Sequence, residues 1–329
     1  MNYVYIVLVN YNGWKDIIEC VKSIFNNSYK NLKIVIVDNK STNQLEFEKE
    51  FCEIYSKNIQ IVFSKKGKLI DYDIENKKIL LIKNDCNNGF AAGFNCAFNY
   101  IRKQNNYSYV WLLGCDNVIE KNSLKNLIEH MRKSKNIDLC GSVSVNYYQR
   151  DIIQCAGVGV YNKLTSQIKH FLAEEQIDSL NLLNFEKLFK KSTRQIVYVY
   201  GNSMFFSKKF FSILSDIPEN YFIYFEELEI IKQLESANMK FGVAIDSIVY
   251  HKEGSSTGGN KRTKSLISDY YSKRNRILFT LKYYKSYLPL VYIALSFVIL
   301  CRIKNKQFDR AMMILKLMFN PYPKLNEVN

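Results

Sequence analysis

Short apolar runs that end in polar turns dominate the first 120 residues of the chain. The runs at 3–9 (YVYIVLV) and 33–37 (KIVIV) are typical of strands that are buried on both faces. Between them, the apolar residues of 15–25 recur at helical spacing and share one face: Ile17, Ile18, Val21, Ile24 and Phe25. This alternation predicts a parallel α/β sheet, in which ligands gather at the carboxyl ends of the strands.

The pattern continues beyond the second strand. Two strand-like pieces at 59–63 and 78–82 flank a charged stretch, which predicts a local hairpin insertion. A glycine-bearing loop, NNGFAAGFN at 87–95, runs into a helix that we predict at 97–102. The apolar run VWLL at 110–113 predicts a further buried strand.

The second half of the chain is harder to interpret. A helix is predicted at 123–131, but the pattern weakens from about 140 to 200, where it indicates a helix at 180–189 and a strand at 195–200. A strand at 243–250 then ends at His251.

The formal net charge of +15 is concentrated near the carboxyl end, since 252–329 contain 15 Lys and Arg residues and 4 Asp and Glu residues. A basic segment of this kind can bind nucleic acid, anionic lipid or acidic substrates. Within it, 287–301 (YLPLVYIALSFVILC) are nearly uncharged and are flanked by lysines and an arginine.

Fifteen residues are too few to cross a bilayer, so this segment is either a buried core helix or an interfacial or re-entrant helix. We favour a helix at the membrane surface, because lysines flank it and a second amphipathic piece follows at 311–319. Nucleic acid explains the charge but leaves the apolar run without a role.

The eight cysteines include no CxxC pair, and the chain has three histidines. This composition argues against a zinc cluster or a disulfide framework and favours reduced thiols in the cytosol. The first residues lead directly into a strand without a basic segment or a small-residue cleavage site, so no signal peptide is expected.

One carboxylate, Asp116, stands beside Asn117 after the predicted buried strand at 110–113. An acidic residue there is often a helix N-cap. The next helix, however, is predicted to begin nearer Asn122. This leaves Asp116 and Asn117 at the sheet edge, where they can offer oxygen ligands to a hard divalent cation.

Three carboxylates, Glu226, Glu227 and Glu229, directly follow the apolar residues 221–225. They can form the acidic first turn of a helix, where they would complement the helix dipole. Alternatively, one of them is a general base whose pKa is raised in an apolar cleft.

His251 ends a predicted strand and leads into a small, glycine-rich loop at 252–259. A single histidine is often structural. The loop is of the kind whose backbone N–H groups bind phosphate oxygens, so a functional role is equally open.

The ordered set of motifs resembles the family 2 inverting glycosyltransferases of the GT-A fold, in particular their rhamnosyltransferase-like branch. The resemblance spans about residues 3–280 and rests on VLVNYNGWKDIIECVKSI, IVIVDNKST, NNGFAAGFN, WLLGCDN, YFIYFEELE, VYHKEGSS and YYSKRN. Each motif is weak alone, but seven in sequence order are specific.

The resemblance implies roles for the matching residues. The nucleotide would contact the ends of the first two strands: Asn10, Asn12, Asp38, Asn39 and Ser41. The donor sugar and diphosphate would lie near a second set: Asn88, Gly89, Phe90, Gly93, Asn95 and Asn117. Asp116 and His251 would bind Mg²⁺ or Mn²⁺.

Glu227 would be the catalytic base, with Glu226 as the alternative. Three residues would lie on the acceptor side: Gly201, Asn202 and Glu229. Three more would lie on the phosphate side: Ser255, Ser256 and Arg274.

The chain departs from the family pattern at three places. Gly114 replaces the first carboxylate of the metal motif, so metal binding would depend more on His251. The base motif has Glu-Glu-x-Glu instead of Glu-Asp-x-Asp, and Gln233 stands where the family has an arginine.

We therefore expect a GT-A α/β fold with a nucleotide-sugar-binding half (1–117), an acceptor-binding half (118–259) and a basic helical extension (260–329). The expected activity is inverting transfer of a sugar from a UDP- or dTDP-sugar to a surface glycan or a lipid-linked glycan. Expected partners are the donor, the acceptor, the inner face of the cell membrane and a second copy of the chain, but no nucleic acid. The alternative is an inactive nucleotide-sugar-binding or scaffolding module. A Rossmann oxidoreductase is disfavoured, because no GxGxxG follows the first strand.

Overall fold

Strands and helices alternate regularly in the first third of the chain. The computed structural model describes residues 2–65, 67–69, 77–134, 136–180, 193–252 and 265–322. Its first elements are β1 (Tyr3–Asn10), α1 (Trp14–Phe25), β2 (Leu32–Asp38), α2 (Leu45–Ile54), β3 (Ile59–Lys65), β4 (Lys68–Leu69), β5 (Ile79–Asn84), α3 (Phe90–Gln104) and β6 (Tyr107–Leu113).

The second part of the chain contains strands with helices between them and ends in three helices. In chain order these are β7 (Asn117–Ile119), α4 (Ser123–Lys133), β8 (Leu139–Asn146), β9 (Ile153–Cys155), β10 (Val158–Asn162), β11 (Ile168–His170), β12 (Gln195–Val199), β13 (Ser203–Ser207), α5 (Lys208–Ile213), α6 (Glu226–Ser236), β14 (Phe241–His251), α7 (Leu266–Tyr283), α8 (Leu288–Lys304) and α9 (Phe308–Phe319).

One mixed sheet runs through the molecule in the order β4-β3-β5-β2-β1-β6-β13-β8-β14-β7, with β9 beside β8. Strands β3, β5, β2, β1 and β6 are mutually parallel, while β13 is antiparallel to β6 and β8. The carboxyl ends of β1, β2 and β6 therefore lie side by side, which confirms the predicted mixed α/β class.

The sheet is covered on both faces. Alternate residues of β1 belong to different apolar cores: Tyr5, Val7 and Val9 pack on one face, and Val4, Ile6 and Leu8 pack on the other. An uninterrupted apolar run is what a parallel strand between two layers requires.

The hairpin predicted at 59–82 is wrong. Strand β3 pairs in parallel with β5, and its antiparallel partner is the two-residue strand β4. Strand β3 is near the sheet edge and only partly buried, and an apolar run of this kind is common to parallel strands and to the arms of hairpins.

The predicted loop at 87–95 is also shorter than expected. Helix α3 begins at Phe90, directly after Gly89, so Gly93 and Asn95 lie in its first turns and are buried. The helix predicted at 180–189 lies, apart from its first residue, outside the described residues.

The three carboxyl-terminal helices pack together around their own apolar core: Tyr270, Ile277, Val291, Leu295, Met313, Ile314 and Leu317. Asp269 on α7 is buried and accepts hydrogen bonds from Arg302 (2.8 Å) and Arg310 (3.0 Å), which ties α7 to the other two helices. The segment 285–304, which contains α8, is apolar and long enough to cross a membrane, and little of it is buried in the described chain.

Candidate functional site

A cavity of about 430 Å³ opens at the carboxyl ends of the parallel strands. It brings together four residues that the sequence assigned to chemistry: Asp116, Glu226, Glu227 and His251. Other polar groups in its lining are Asn39, Asn87, Asn202 and Ser268. Its apolar walls include Phe90, Phe94, Leu112, Met204, Phe222, Ile223, Ile230 and Ile267.

The two candidate bases are the first residues of α6. Glu226 is 5% exposed, and its Oε1 has no hydrogen-bond partner among the described residues. Burial, reinforced by the charge of Glu227, raises the pKa of Glu226 to about 8. Glu227 is half-buried, and desolvation raises its pKa as well. Because desolvation disfavours the charged form, an ionised carboxylate at this place has a stronger tendency to take up a proton, as a general base must.

Gly201 lies beside the side chain of Glu227 in the cavity wall. A Cβ atom at residue 201 would lie 3.7 Å from Oε2 of Glu227, in van der Waals contact. The next residue, Asn202, is hydrogen-bonded to the turn after β6, because the N–H of Gly114 donates to the carbonyl oxygen of Asn202 (2.9 Å).

Asp116 and His251 form the second charged group of the cavity. Nε2 of His251 lies 3.3 Å from Oδ2 of Asp116, and both residues are nearly buried. Gln154 orients the imidazole, because its Nε2 donates to the carbonyl oxygen of His251 (3.2 Å), which turns its Oε1 toward Nδ1 (2.7 Å). Nδ1 is then the donor, and Nε2 is the ring nitrogen that faces Asp116, so in the neutral tautomer Nε2 is the one that can bind a metal ion.

This pair fits a hard divalent cation as a partial ligand set. Among the described residues, no group of three or more His, Cys, Asp and Glu side chains could hold a metal ion. Asp116 and His251 supply two ligands, and Mg²⁺ commonly takes its others from substrate phosphates and water. Their place in the cavity lining leaves them accessible to such a substrate.

Gly114 packs against a buried pair of side-chain amides, those of Asn117 and Asn202. The side chains of Asn117 and Asn202 donate to each other (2.7 and 2.8 Å), and Asn117 also donates to the carbonyl oxygen of Gly114 (2.9 Å). A Cβ at residue 114 would lie 2.5 Å from Oδ1 of Asn202. Asn202 lines the cavity, whereas Asn117 is fully buried outside the lining, in contrast to the donor contact expected for it.

The ends of β1 and β2 are joined by side-chain hydrogen bonds. Nδ2 of Asn10 donates to Asp38 (2.8 Å), and Ser41 donates to the same carboxylate through its hydroxyl and its backbone N–H. Burial raises the pKa of Asp38, and these hydrogen bonds oppose that rise. Asn12 accepts from the backbone of Thr42 (2.8 Å). These four predicted nucleotide-binding residues form one network beside the cavity, but they are not part of its lining.

Asn39 connects that network to the start of α3. It donates to the carbonyl oxygen of Gly89 (2.9 Å), and both residues line the cavity. Gly89 has φ +90°, and a Cβ there would lie 2.2 Å from the carbonyl oxygen of Phe222, so only glycine fits. Phe90 follows it in the lining and donates its N–H to the same carbonyl (2.6 Å).

Besides Asn117, three more of the predicted donor-binding residues lie outside the cavity lining. Gly93 packs its backbone against Val9, and Asn95 is bonded to Ile217 through both ends of its amide. The side-chain amide nitrogen of Asn88 donates to the sulfur of Cys86 (3.1 Å). Gly93 and Asn95 therefore hold α3 in place instead of contacting the cavity.

Glu229 and Arg274 also lie outside the cavity lining. Glu229 is fully buried and accepts from Tyr221, Lys282 and Tyr283 at 2.7–2.8 Å, which corrects its expected place on the acceptor side. Arg274 donates to the carbonyl oxygens of 220 and 321, not to a phosphate site in the cavity. Ser255 and Ser256 lie outside the described residues.

The structure adds residues that the sequence did not indicate. Gln154 lies in the stretch whose pattern was weak, and no motif marks it as the partner of His251. Phe222 and Tyr224 lie within the quoted base motif, so their place in the lining could have been anticipated from their proximity to Glu226 and Glu227.

Comparisons with known proteins agree with this architecture. A model of the family described as "Glycosyl transferase family 2" matches residues 5–212, and no curated protein sequence matches the chain. Among solved structures, GalNAc-T7 with UDP, GalNAc and Mn²⁺ has a TM-score of 0.58 at 16% identity, covering 83% of this chain and 47% of its own. This chain thus spans about half the length of the GalNAc-T7 chain.

Two further structures are similar over most of both chains. Residues 1–349 of TarS from S. aureus have a TM-score of 0.52 at 16% identity, with coverage of 100% of this chain and 82% of that one. The mannosyltransferase PcManGT from Pyrobaculum calidifontis, in complex with GDP-Man and Mn²⁺, has a TM-score of 0.55 at 10% identity, with coverage of 97% and 88%. At these identities the likeness shows a shared GT-A fold. Because the family model covers well over half of the residues, the chain belongs to glycosyl transferase family 2.

Proposed function

We propose that this chain is a metal-dependent inverting glycosyltransferase that moves a sugar from a UDP- or dTDP-sugar to a hydroxyl group. The observation that carries the proposal is one cavity that contains both a buried carboxyl pair with raised pKa and the Asp116–His251 pair. Family membership supports it, as do the nucleotide-bearing and Mn²⁺-bearing structures with the same fold.

In the proposed reaction the acceptor hydroxyl attacks the anomeric carbon from the face opposite the diphosphate. Glu227 takes the hydroxyl proton as the new C–O bond forms, and the electron pair of the old bond leaves with the diphosphate oxygen. Gly201 and Asn202 border the acceptor beside Glu227, while Asn39 and Gly89 border the donor. Asp116 and His251 would hold Mg²⁺ or Mn²⁺, which when bound offsets the negative charge that grows on the diphosphate.

The proposed acceptor is a growing surface glycan or a lipid-linked oligosaccharide, met at the cytoplasmic face of the cell membrane. The support for this location is an apolar stripe on α8 and α9 that the described chain leaves exposed. Its residues are Leu290, Ile293, Phe297, Leu300, Ile303, Phe308, Met312, Leu315 and Phe319, which we call the apolar hairpin face.

The test of the activity is Glu227→Gln. Transfer should fall by about 10²- to 10⁴-fold, because glutamine cannot accept the proton, while binding of UDP or dTDP should change little. Glu235→Gln, on the exposed side of the same helix, is the matched control and should keep its activity. Retention of most of the activity by Glu227→Gln would refute the assignment of the base.

A panel of nucleotide sugars, with and without a chelator, tests the rest of the proposal. We expect transfer or donor hydrolysis that needs Mg²⁺ or Mn²⁺. Binding of a nucleotide sugar without turnover under all conditions would instead favour the inactive scaffolding module.

A further inference from the structure

The residues that precede the proposed base have an unusual backbone. In the segment 221–225, which we call the base loop, Phe222, Tyr224 and Phe225 have φ values of 65°, 71° and 79°. Positive φ is sterically unfavourable for a bulky residue, so such a loop persists only where its surroundings hold it. Because Glu226 and Glu227 follow at once, the base loop sets where their side chains lie.

One buried side chain holds most of this loop. Nδ2 of Asn275, on α7, donates to the carbonyl oxygens of Tyr221 (3.0 Å), Ile223 (2.8 Å) and Tyr224 (3.1 Å). Asn275 is fully buried. An amide has two N–H bonds, so one of them is shared between two carbonyls.

The orientation of this amide is fixed by its neighbour. Arg274 donates to Oδ1 of Asn275 (3.2 Å) and to the carbonyl oxygen of Asn220 (2.6 Å). Since a guanidinium can only donate, the oxygen of Asn275 must point to Arg274 and its nitrogen to the base loop.

Two other residues of α7, Tyr271 and Ser268, contact side chains of the base loop. The ring of Phe222 stacks on Tyr271 at 4.7 Å, and the hydroxyls of Tyr224 and Ser268 are 2.7 Å apart. On the other side of the loop, the N–H of Phe90 donates to the carbonyl of Phe222. The base loop is thus held between α7 and the start of α3, and Asn275 supplies its backbone contacts from α7.

We propose that Asn275 is a positioning residue, which keeps Glu227 aimed into the cavity by fixing the backbone of the base loop. The inference rests on the proposed function, in which Glu227 is the base. A residue that only fastened α7 to the domain would affect stability without a specific effect on the base.

The experiment compares Asn275→Ala with Thr280→Val. Thr280 is a fully buried polar residue on the same helix, and its side-chain hydroxyl bonds to Arg276 and Tyr161 instead of the base loop. We expect Asn275→Ala to lower kcat by about 10- to 100-fold, since small displacements of a catalytic group are costly, with the Kd for the nucleotide within about twofold of wild type. Thr280→Val should keep both values.

The pH profile of kcat/KM supplies the second readout. A loosened loop admits water to the carboxyls and lowers their pKa, so the acid limb should move to lower pH in Asn275→Ala and stay in place in Thr280→Val. Glu227 interacts electrostatically with Glu226 and Tyr198, and the other titratable groups in the cavity lining are Tyr11, Cys115, Asp116, Tyr200, Tyr224 and His251. All of these groups are unchanged in both variants.

Asn275→Ser keeps one donor and should give an intermediate kcat. It carries the test if the alanine variant does not fold, and failure of both variants to fold would overturn the proposal, because Asn275 would then hold the whole fold. An acid limb and a kcat equal to those of Thr280→Val would also overturn it. Glu227→Gln is measured in parallel: if it is inactive while Asn275→Ala is normal, only this inference fails, and if it is active, the proposed base itself is wrong.

Discussion

Glu226 lies where its surroundings oppose its charge. Its side chain is nearly inaccessible to water, one oxygen has no hydrogen-bond partner among the described residues, and Glu227 follows it directly. A carboxyl with a raised pKa binds a proton in the folded chain at pH values where the unfolded chain has released it. Stability is therefore lost as pH rises from about 4.5 to about 8, the window between the two pKa values.

Glu226→Gln should remove this loss. The variant should unfold at about the same temperature as wild type near pH 4 and become more stable than wild type as pH rises, by on the order of a few kcal/mol at pH 9. Chemical or thermal unfolding at pH 5, 7 and 9 measures the difference. Glu235→Gln should show no such widening, and a constant difference between Glu226→Gln and wild type would contradict the proposed cause.

The sequence identified the chemistry of these residues better than their environment. The position of Glu226 and Glu227 after five apolar residues led to two predictions, the acidic first turn of a helix and a carboxyl group in an apolar cleft, and the structure combines both. The sequence could not show that Glu229, two residues later, turns away to accept hydrogen bonds from Lys282 and Tyr283, because those contacts join segments more than fifty residues apart.

At the scale of elements, the short strand β9 determines how His251 is presented. It pairs with β8, which lies beside β14, and this brings Gln154 against the imidazole at the end of β14. A hydrogen-bond partner of a histidine ligand fixes the tautomer and the ring orientation, and its loss commonly reduces metal affinity by 10- to 100-fold.

Gln154→Leu should therefore weaken Mn²⁺ binding by about 10- to 100-fold and shift the metal dependence of transfer to higher concentration. Titration of activity with Mn²⁺, and calorimetry with nucleotide present, provide the measurement. Transfer at saturating Mn²⁺ should recover substantially. Unchanged metal dependence would show that His251 does not act as a ligand.

Strands buried on both faces could be predicted from their composition, whereas β9 could not. A three-residue strand has too few positions to show a period, and its pairing with β8 depends on tertiary contacts. The hairpin error has a related cause, since two apolar runs on either side of a charged stretch do not reveal whether the two strands pair in parallel.

At the scale of the whole molecule, apolar and basic surfaces coincide at the carboxyl end. The apolar hairpin face lies on two helices joined by a three-residue connection, and 288–322 contain five Lys and Arg residues and one Asp. Two copies pressed together on this face would bring like charges close, whereas an anionic bilayer would complement them. Helix α8, with 17 residues, is about 26 Å long and lies within the 20-residue apolar segment 285–304, which is long enough to cross a membrane.

Phe297→Asp should reduce binding to vesicles of phosphatidylglycerol by at least about tenfold, because a 65% exposed aromatic ring would be replaced by a charge of the wrong sign. Transfer to a soluble acceptor should be unaffected. Tyr148→Asp replaces an equally exposed aromatic residue outside the hairpin and should bind normally.

Co-sedimentation with phosphatidylglycerol and phosphatidylcholine vesicles at low and high salt would measure this binding. Equal binding by both variants would contradict a membrane role for the apolar hairpin face. If Phe297→Asp instead converted a dimer to a monomer by light scattering, the face would belong to a second copy of the chain.

The buried amide pair beside Gly114 constrains how this site can evolve. A side chain at residue 114 would displace the amide ends of Asn117 and Asn202, so an acidic residue gained there would also disturb their reciprocal hydrogen bonds. The gain of a second carboxylate at this turn therefore carries a cost that a change at Asn117 or Asn202 would have to relieve.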